Sequence, residues 1–128
     1  MKVLDTTFLI DLTRGNKDVL PILKKKEMLL TTQICMFEVI RGLFYRNTAP
    51  AKVQEIMSLF EDIRVLPFDD NAVVKSAEIS AEQLKKGHPL ADSDCMITGI
   101  ALSKGIPIII TRNIKHFQEI KGITVESY

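Results

Sequence analysis

Apolar positions along this chain follow two alternating rhythms. Short, nearly continuous apolar runs occur at Lys2-Val3-Leu4, Met28–Thr31, Arg64–Phe68, Ile106–Thr111 and Ile123–Glu126. That character suits strands buried on both faces. Between them the apolar residues recur at helical spacing. Thr6 or Thr7 caps a short helix carrying Phe8, Leu9 and Leu12 and stopping near Gly15-Asn16. Asp18–Lys26 reads as a second helix, with Pro21 in its first turn. Further helices are expected over Gln33–Arg46, Pro50–Asp62 and Asn71–Lys86, the last ending at Gly87. Another starts at an Asp92 or Ser93 cap and runs to Lys104, with Gly105 as its left-handed stop; a short one covers Lys115–Ile120. Pro67 near the end of the third strand suggests an edge position.

Strands separated by helices imply an α/β chain with a mostly parallel sheet covered on both faces, as one domain over residues 1–128. Such sheets place their sites beyond the carboxyl ends of the strands. The polar residues to weigh first are therefore Asp5, Thr6, Asp69, Asp70, Thr111, Arg112 and Asn113.

Composition changes this picture little. Of 128 residues, 46% are hydrophobic and 26% charged, an ordinary globular balance. The net charge of +1 leaves no broadly basic surface for gripping nucleic acid, so any such contact has to come from local patches. Cys35 and Cys95 stand far apart in sequence, and no secretory leader or membrane-length apolar run is present. The expectation is a soluble cytoplasmic protein with reduced thiols.

Chemistry has few candidates. Asp5 closes the first strand, where its carboxylate either reaches the crevice or caps the helix that follows. Asp94 shares a helical stripe with Ile97, Thr98 and Ala101, which turns it toward the apolar side although it heads the helix. A dipole-favoured acid explains its presence but not that orientation. Asp92, two residues earlier, suits the plain cap role. Glu38 lies outside the apolar arc of Phe37, Ile40, Leu43 and Phe44, and reads as a surface acid paired with Arg41. Thr111 and Asn113 either cap a short helix or hold a metal-bound water, with Arg112 available to a phosphate. His88 and His116 have no partner at zinc spacing and read as surface or packing residues. There is no dinucleotide-binding, P-loop, zincin or serine-hydrolase signature. Oxygen ligands on such a frame suit Mg²⁺ or Mn²⁺.

The ordered set resembles the PIN-domain ribonuclease toxins of the VapC type. It comprises Asp5-Thr6, Glu38 on a helix, Asp94-Cys95-Met96-Ile97, Ile109-Ile110-Thr111-Arg112-Asn113, His116-Phe117 and Ile120-Lys121-Gly122-Ile123. The resemblance covers essentially the whole chain. It implies a three-layer α/β/α sandwich with a five-stranded parallel sheet, Mg²⁺ or Mn²⁺, RNA cleavage, homodimerisation and neutralisation by a small antitoxin protein. It makes Asp5, Glu38 and Asp94 metal ligands and Asn113 a catalytic neighbour. Thr6, Asp92 and Thr111 become supporting residues, and Arg14, Arg41 and Arg112 the nearest candidates for RNA contact. Many members carry a fourth acid where this chain has Asn113, a position Asp92 could supplement.

Two other readings fit the frame. A receiver-like signalling domain would be phosphorylated on Asp69 or Asp70, but it wants paired acids at Asp5 and leaves Asp94 unused. A PIN fold that binds RNA or a partner without cutting it would keep the acids and lack turnover.

Overall fold

Five short parallel strands form the sheet in a computed structural model that describes residues 1–128. They are β1 (Lys2–Leu4), β2 (Leu29–Thr32), β3 (Arg64–Leu66), β4 (Ile108–Ile110) and β5 (Thr124–Glu126), in the spatial order β3-β2-β1-β4-β5. The helices are α1 (Thr6–Thr13), α2 (Leu20–Lys24), α3 (Gln33–Tyr45), α4 (Pro50–Asp62), α5 (Asp70–Lys85), α6 (Asp92–Ser103) and α7 (Ile114–Phe117). Sheet and helices make a three-layer α/β/α sandwich. The chain first builds outward from β1 through β2 to β3, then returns to place β4 on the other side of β1. The order therefore reverses between β1 and β4, and a crevice opens there at the strands' carboxyl ends. β3 lies at an edge, as Pro67 suggested.

One cluster of 25 buried apolar residues unites the elements. Val3, Ile109 and Ile110 of the central strands have no exposed surface, nor do Phe8 of α1, Ile97 and Ile100 of α6, and Phe117 of α7. This is the near-continuous apolar pattern expected of a parallel sheet covered on both sides.

Several boundaries differ from the expected ones for local reasons. The segment expected as one helix from Asp18 begins instead as a 3₁₀ turn over Lys17–Val19, capped by the Asn16 side chain on the Asp18 amide, and Lys25 is already extended. Thr6 is the first helical residue and Asp5 holds the cap position, so neither Thr6 nor Thr7 caps α1. Likewise α6 starts at Asp92, with Ala91 in the cap position and no side-chain cap, which removes the cap role given to Asp92 or Ser93. The real side-chain caps are Thr32, accepting from the Cys35 amide, and Asp69, accepting from the Ala72 amide. Asp69 also pairs with Lys104. Both contacts hold its carboxyl below the usual range, and they give it a structural task in place of phosphate acceptance.

Gly99 lets α6 pack closely against Ser76 of α5. A Cβ on Gly99 would stand 1.9 Å from Ser76 Oγ and 2.8 Å from Ser76 Cα. Backbone cannot yield as a flexible side chain does. Gly99→Ala is therefore expected to destabilise the fold by about 1–3 kcal/mol, read as a lower urea midpoint at unchanged slope. Ser76 Oγ is buried without a hydrogen-bond partner, so Ser76→Ala alone should be neutral or stabilising in the same assay.

Candidate active site

Asp5 leaves β1 at the switch point, and its backbone still belongs to the sheet, its amide donating to the Ile110 carbonyl at 3.0 Å. The residue is only 4% exposed. Its Oδ2 accepts from Thr111 Oγ1 at 2.7 Å and from Thr7 Oγ1 at 3.4 Å. Burial pushes the Asp5 carboxyl up, while these hydroxyls and the amides of Thr6 and Thr7 pull the other way. Although it occupies the cap position, its side chain makes no cap hydrogen bond. Of the two readings open from sequence, the structure favours the crevice.

Thr111 follows β4 and is completely buried. It connects the loop to the acid, since its Oγ1 also accepts from the Asn113 amide at 2.9 Å. Thr7, which the sequence reading passed over as a mere cap candidate, is the second link. It lies 3.2 Å from Thr111 Oγ1 and accepts the Arg112 amide at 3.2 Å. A hydroxyl two residues beyond a strand-end acid was the available signal.

Glu38 comes from α3. The buried stripe of that helix is Cys35, Val39 and Leu43, not the arc through Phe37, Ile40 and Phe44, whose two phenylalanines are largely exposed. That rotation turns Glu38 toward the crevice, where its Oε1 accepts from Thr6 Oγ1 at 2.7 Å. The expected pairing with Arg41 exists only as a loose 3.9 Å approach.

Asp94 completes the acidic set from the first turn of α6. Its side chain is 14% exposed, and its stripe-mates Ile97, Thr98 and Ala101 are fully buried, so the inward orientation inferred from the stripe holds. Its carboxyl is pushed up to about 6, first by burial and then by the negative fields of Asp5 and Glu38, against the opposing pull of His116. His116 Nδ1 lies 3.2 Å from Asp94 Oδ2, a pairing that sequence spacing could not reveal because 22 positions separate two residues on different helices.

The donor set consists of carboxylate oxygens that repel each other, the condition a hard divalent cation relieves. No three acidic, histidine or cysteine side chains yet form a closed cage. Glu38 and Asp94 remain 21% and 14% exposed at the crevice mouth, open to an approaching ion. On chemistry and placement the residues fit such an ion.

Other expected residues fall elsewhere. Asp92 is exposed and lines a separate cleft of about 390 Å³ between α5 and α6, beside Phe68 and Met96. No hydrogen bond or ion pair joins it to the acids, so its supporting role is withdrawn. Asn113 is exposed beside the crevice and reaches Thr111 through its backbone. Arg14 is exposed at the end of α1, and Arg41 lies over the Phe37 ring.

Arg112 is not free for phosphate. Its Nε donates to Asp11 at 2.6 Å, a terminal nitrogen donates to Asp18 at 2.8 Å, and the guanidinium stacks on Tyr128. Tyr128 in turn donates to Asp11 at 2.6 Å and meets Phe8 edge-on. Arg112→Ala should therefore lower the melting temperature and loosen the Thr111 loop. A variant with unchanged thermal stability and only weaker RNA affinity would return Arg112 to the RNA surface.

The model for the PIN domain family matches residues 2–123. The tRNA(fMet)-specific endonuclease VapC of Salmonella typhimurium is 32% identical over 98 residues, covering 76% of this chain and 73% of that protein. Ribonuclease VapC1 of Methanocaldococcus jannaschii is 24% identical, covering 66% and 62%. Among solved structures, the DNA-bound VapBC of Salmonella typhimurium superposes with a TM-score of 0.88 at 25% identity, covering 98% of this chain and 96% of its counterpart.

Proposed function

The chain belongs to the PIN-domain family, VapC type, and on that premise we propose that it is a Mg²⁺- or Mn²⁺-dependent endoribonuclease, the toxin of a toxin–antitoxin pair. Asp5, Glu38 and Asp94 are its metal-binding carboxylates. One observation carries the reading: Asp94, held inward on α6, has its carboxyl pushed to about 6 by burial and by the charges of Asp5 and Glu38. Three strand-end and helix acids on distant stretches of chain thus share one electrostatic neighbourhood.

When bound, a divalent ion supplies Lewis acidity, making a water nucleophilic near neutral pH and neutralising charge on the phosphodiester. The protein's own residues fix the geometry. Thr111 and Thr7 hold one oxygen of Asp5 and Thr6 holds one oxygen of Glu38, so the other oxygen of each carboxylate would be the one to hold the ion. Asn113 stands at the rim, where a neutral amide can orient a water or a phosphate oxygen. Of the three arginines weighed for RNA contact, Arg41 and Arg14 are the exposed pair left once Arg112 is committed to Asp11 and Asp18.

The test is cleavage of mixed structured and unstructured RNA, with tRNA(fMet) included because the Salmonella relative is named for it. Activity is expected with Mg²⁺ or Mn²⁺ and lost on chelation. Metal-dependent binding with no cleavage would favour the non-cutting PIN module.

The partner is a small antitoxin protein, and its contact is proposed for the open apolar face of α3. Met36, Phe37, Ile40, Phe44 and Tyr45 line a groove of about 830 Å³ there, on the helix that carries Glu38. Phe44 and Tyr45 are 66% and 86% exposed, unusual for rings on a stable surface. Phe44→Glu should weaken the complex at least tenfold by calorimetry, with cleavage by the free toxin retained. Homodimerisation is checked by light scattering. No helix is long and apolar enough to cross a membrane, and both cysteines are buried and free, which suits action in a reducing cytoplasm.

A further inference from the structure

Resting on the metal reading above, we propose that His116 is a nitrogen ligand of the divalent ion, beside Asp94, and that it tilts the site toward Mn²⁺ over Mg²⁺. The geometry comes from α7, a single turn pinned by Phe117, which is completely buried. With Phe117 fixed inward, the neighbouring imidazole is carried to the mouth of the crevice, where it is 54% exposed and faces Asp94. Its Nδ1 stands 3.2 Å from Asp94 Oδ2. Two ligands on adjacent corners of an octahedron, each about 2.1 Å from the ion, lie about 3.0 Å apart. The pair is therefore already at close to the separation that one shared ion demands.

The segment from β4 through α7 carries no carboxylate of its own. The segment after β4 brings Thr111, Arg112 and Asn113, and the arginine is committed to Asp11 and Asp18. Residues 111–117 include no acid, so His116 is the segment's one strong metal donor beside Asp94. Imidazole suits first-row transition metals, whereas Mg²⁺ prefers oxygen and holds its waters. A mixed carboxylate and imidazole set thus discriminates between the two ions where an all-carboxylate set does so poorly. The alternative is a simple surface ion pair between His116 and Asp94, which an incoming ion would break.

Pulsed electron paramagnetic resonance of the Mn²⁺-loaded protein separates them. Wild type is expected to show ¹⁴N modulation from a directly bound imidazole, replaced by the ¹⁵N pattern when histidine is isotopically labelled. His116→Gln should lose the signal and His88→Gln should keep it. In equilibrium competition, His116→Gln should also reduce the preference for Mn²⁺ over Mg²⁺ by about tenfold or more. Mn²⁺ bound without nitrogen coupling in wild type overturns the assignment and leaves the carboxylate site standing. Failure to bind Mn²⁺ at all overturns both. The wild-type spectrum decides the matter even if a variant folds poorly.

Discussion

Asp94→Asn is expected to lower RNA cleavage by about 10³-fold or more, while the metal-free variant remains at least as stable as wild type at pH 7.5. The two halves come from one cause. Asp94 is nearly buried and sits in the fields of Asp5 and Glu38, so its charge is unfavourable in the folded state without a cation. Removing the charge relieves the fold. On the proposed function it would also remove a ligand for a divalent ion that activates water and stabilises phosphate charge, a contribution of several kcal/mol, and each 1.36 kcal/mol is tenfold in rate. Single-turnover cleavage and thermal melting measure the two effects on the same sample. Cleavage retained within a few-fold would remove Asp94 from the catalytic set, and a collapsed melting temperature would make it a structural residue. Asp5→Asn should lose as much activity, but its stability change is less favourable because Thr111 and Thr7 are built to serve a carboxylate oxygen.

The second large effect is a pH-dependent stabilisation by metal. Asp94 titrates near 6 in the fold against an ordinary value of 3.8. Between those values the unfolded chain has lost a proton that the folded protein keeps, so this group's contribution to stability falls as pH rises through the window. Above about pH 6 the whole penalty is present. A displacement of that size is worth up to about 3 kcal/mol, reduced by water at the crevice mouth. Asp5, also pushed up by burial, acts in the same direction. The pull of His116 on Asp94 acts the other way. Mn²⁺ or Mg²⁺ at saturating concentration should therefore raise the melting temperature by several degrees at pH 7.5 and much less at pH 5. Equal stabilisation at both values would place the ion away from Asp94.

Much of this was legible in the sequence because the sheet announces itself. Ile106–Thr111 is rich in β-branched residues and Val3-Leu4 is apolar on both faces, so both read as buried strands, and helical stretches between them dictate parallel pairing. The Asp94 stripe was equally readable, since Ile97 and Ala101 leave the helix only one way to face. Glu38 was not. Its helix has two apolar faces, and periodicity cannot tell the one that meets the core from the one that stays open as a groove. Helix starts were misplaced where an acid held the first turn without capping it, as at Asp92. Contacts between distant elements, such as Asp94 with His116 and Arg112 with Asp11, leave no periodic trace at all.

Neutral hydroxyls, not ammonium groups, position Asp5 and Glu38. A lysine in their place would act as a tethered counter-ion, satisfying the acids permanently and shutting out any mobile one. Thr6, partly exposed against Glu38, is where such a built-in plug could be introduced, giving Thr6→Lys as a route to a harmless toxin. With the α3 groove untouched, the disarmed protein should still engage an antitoxin that docks there as proposed, making it a decoy that titrates the partner without cutting RNA.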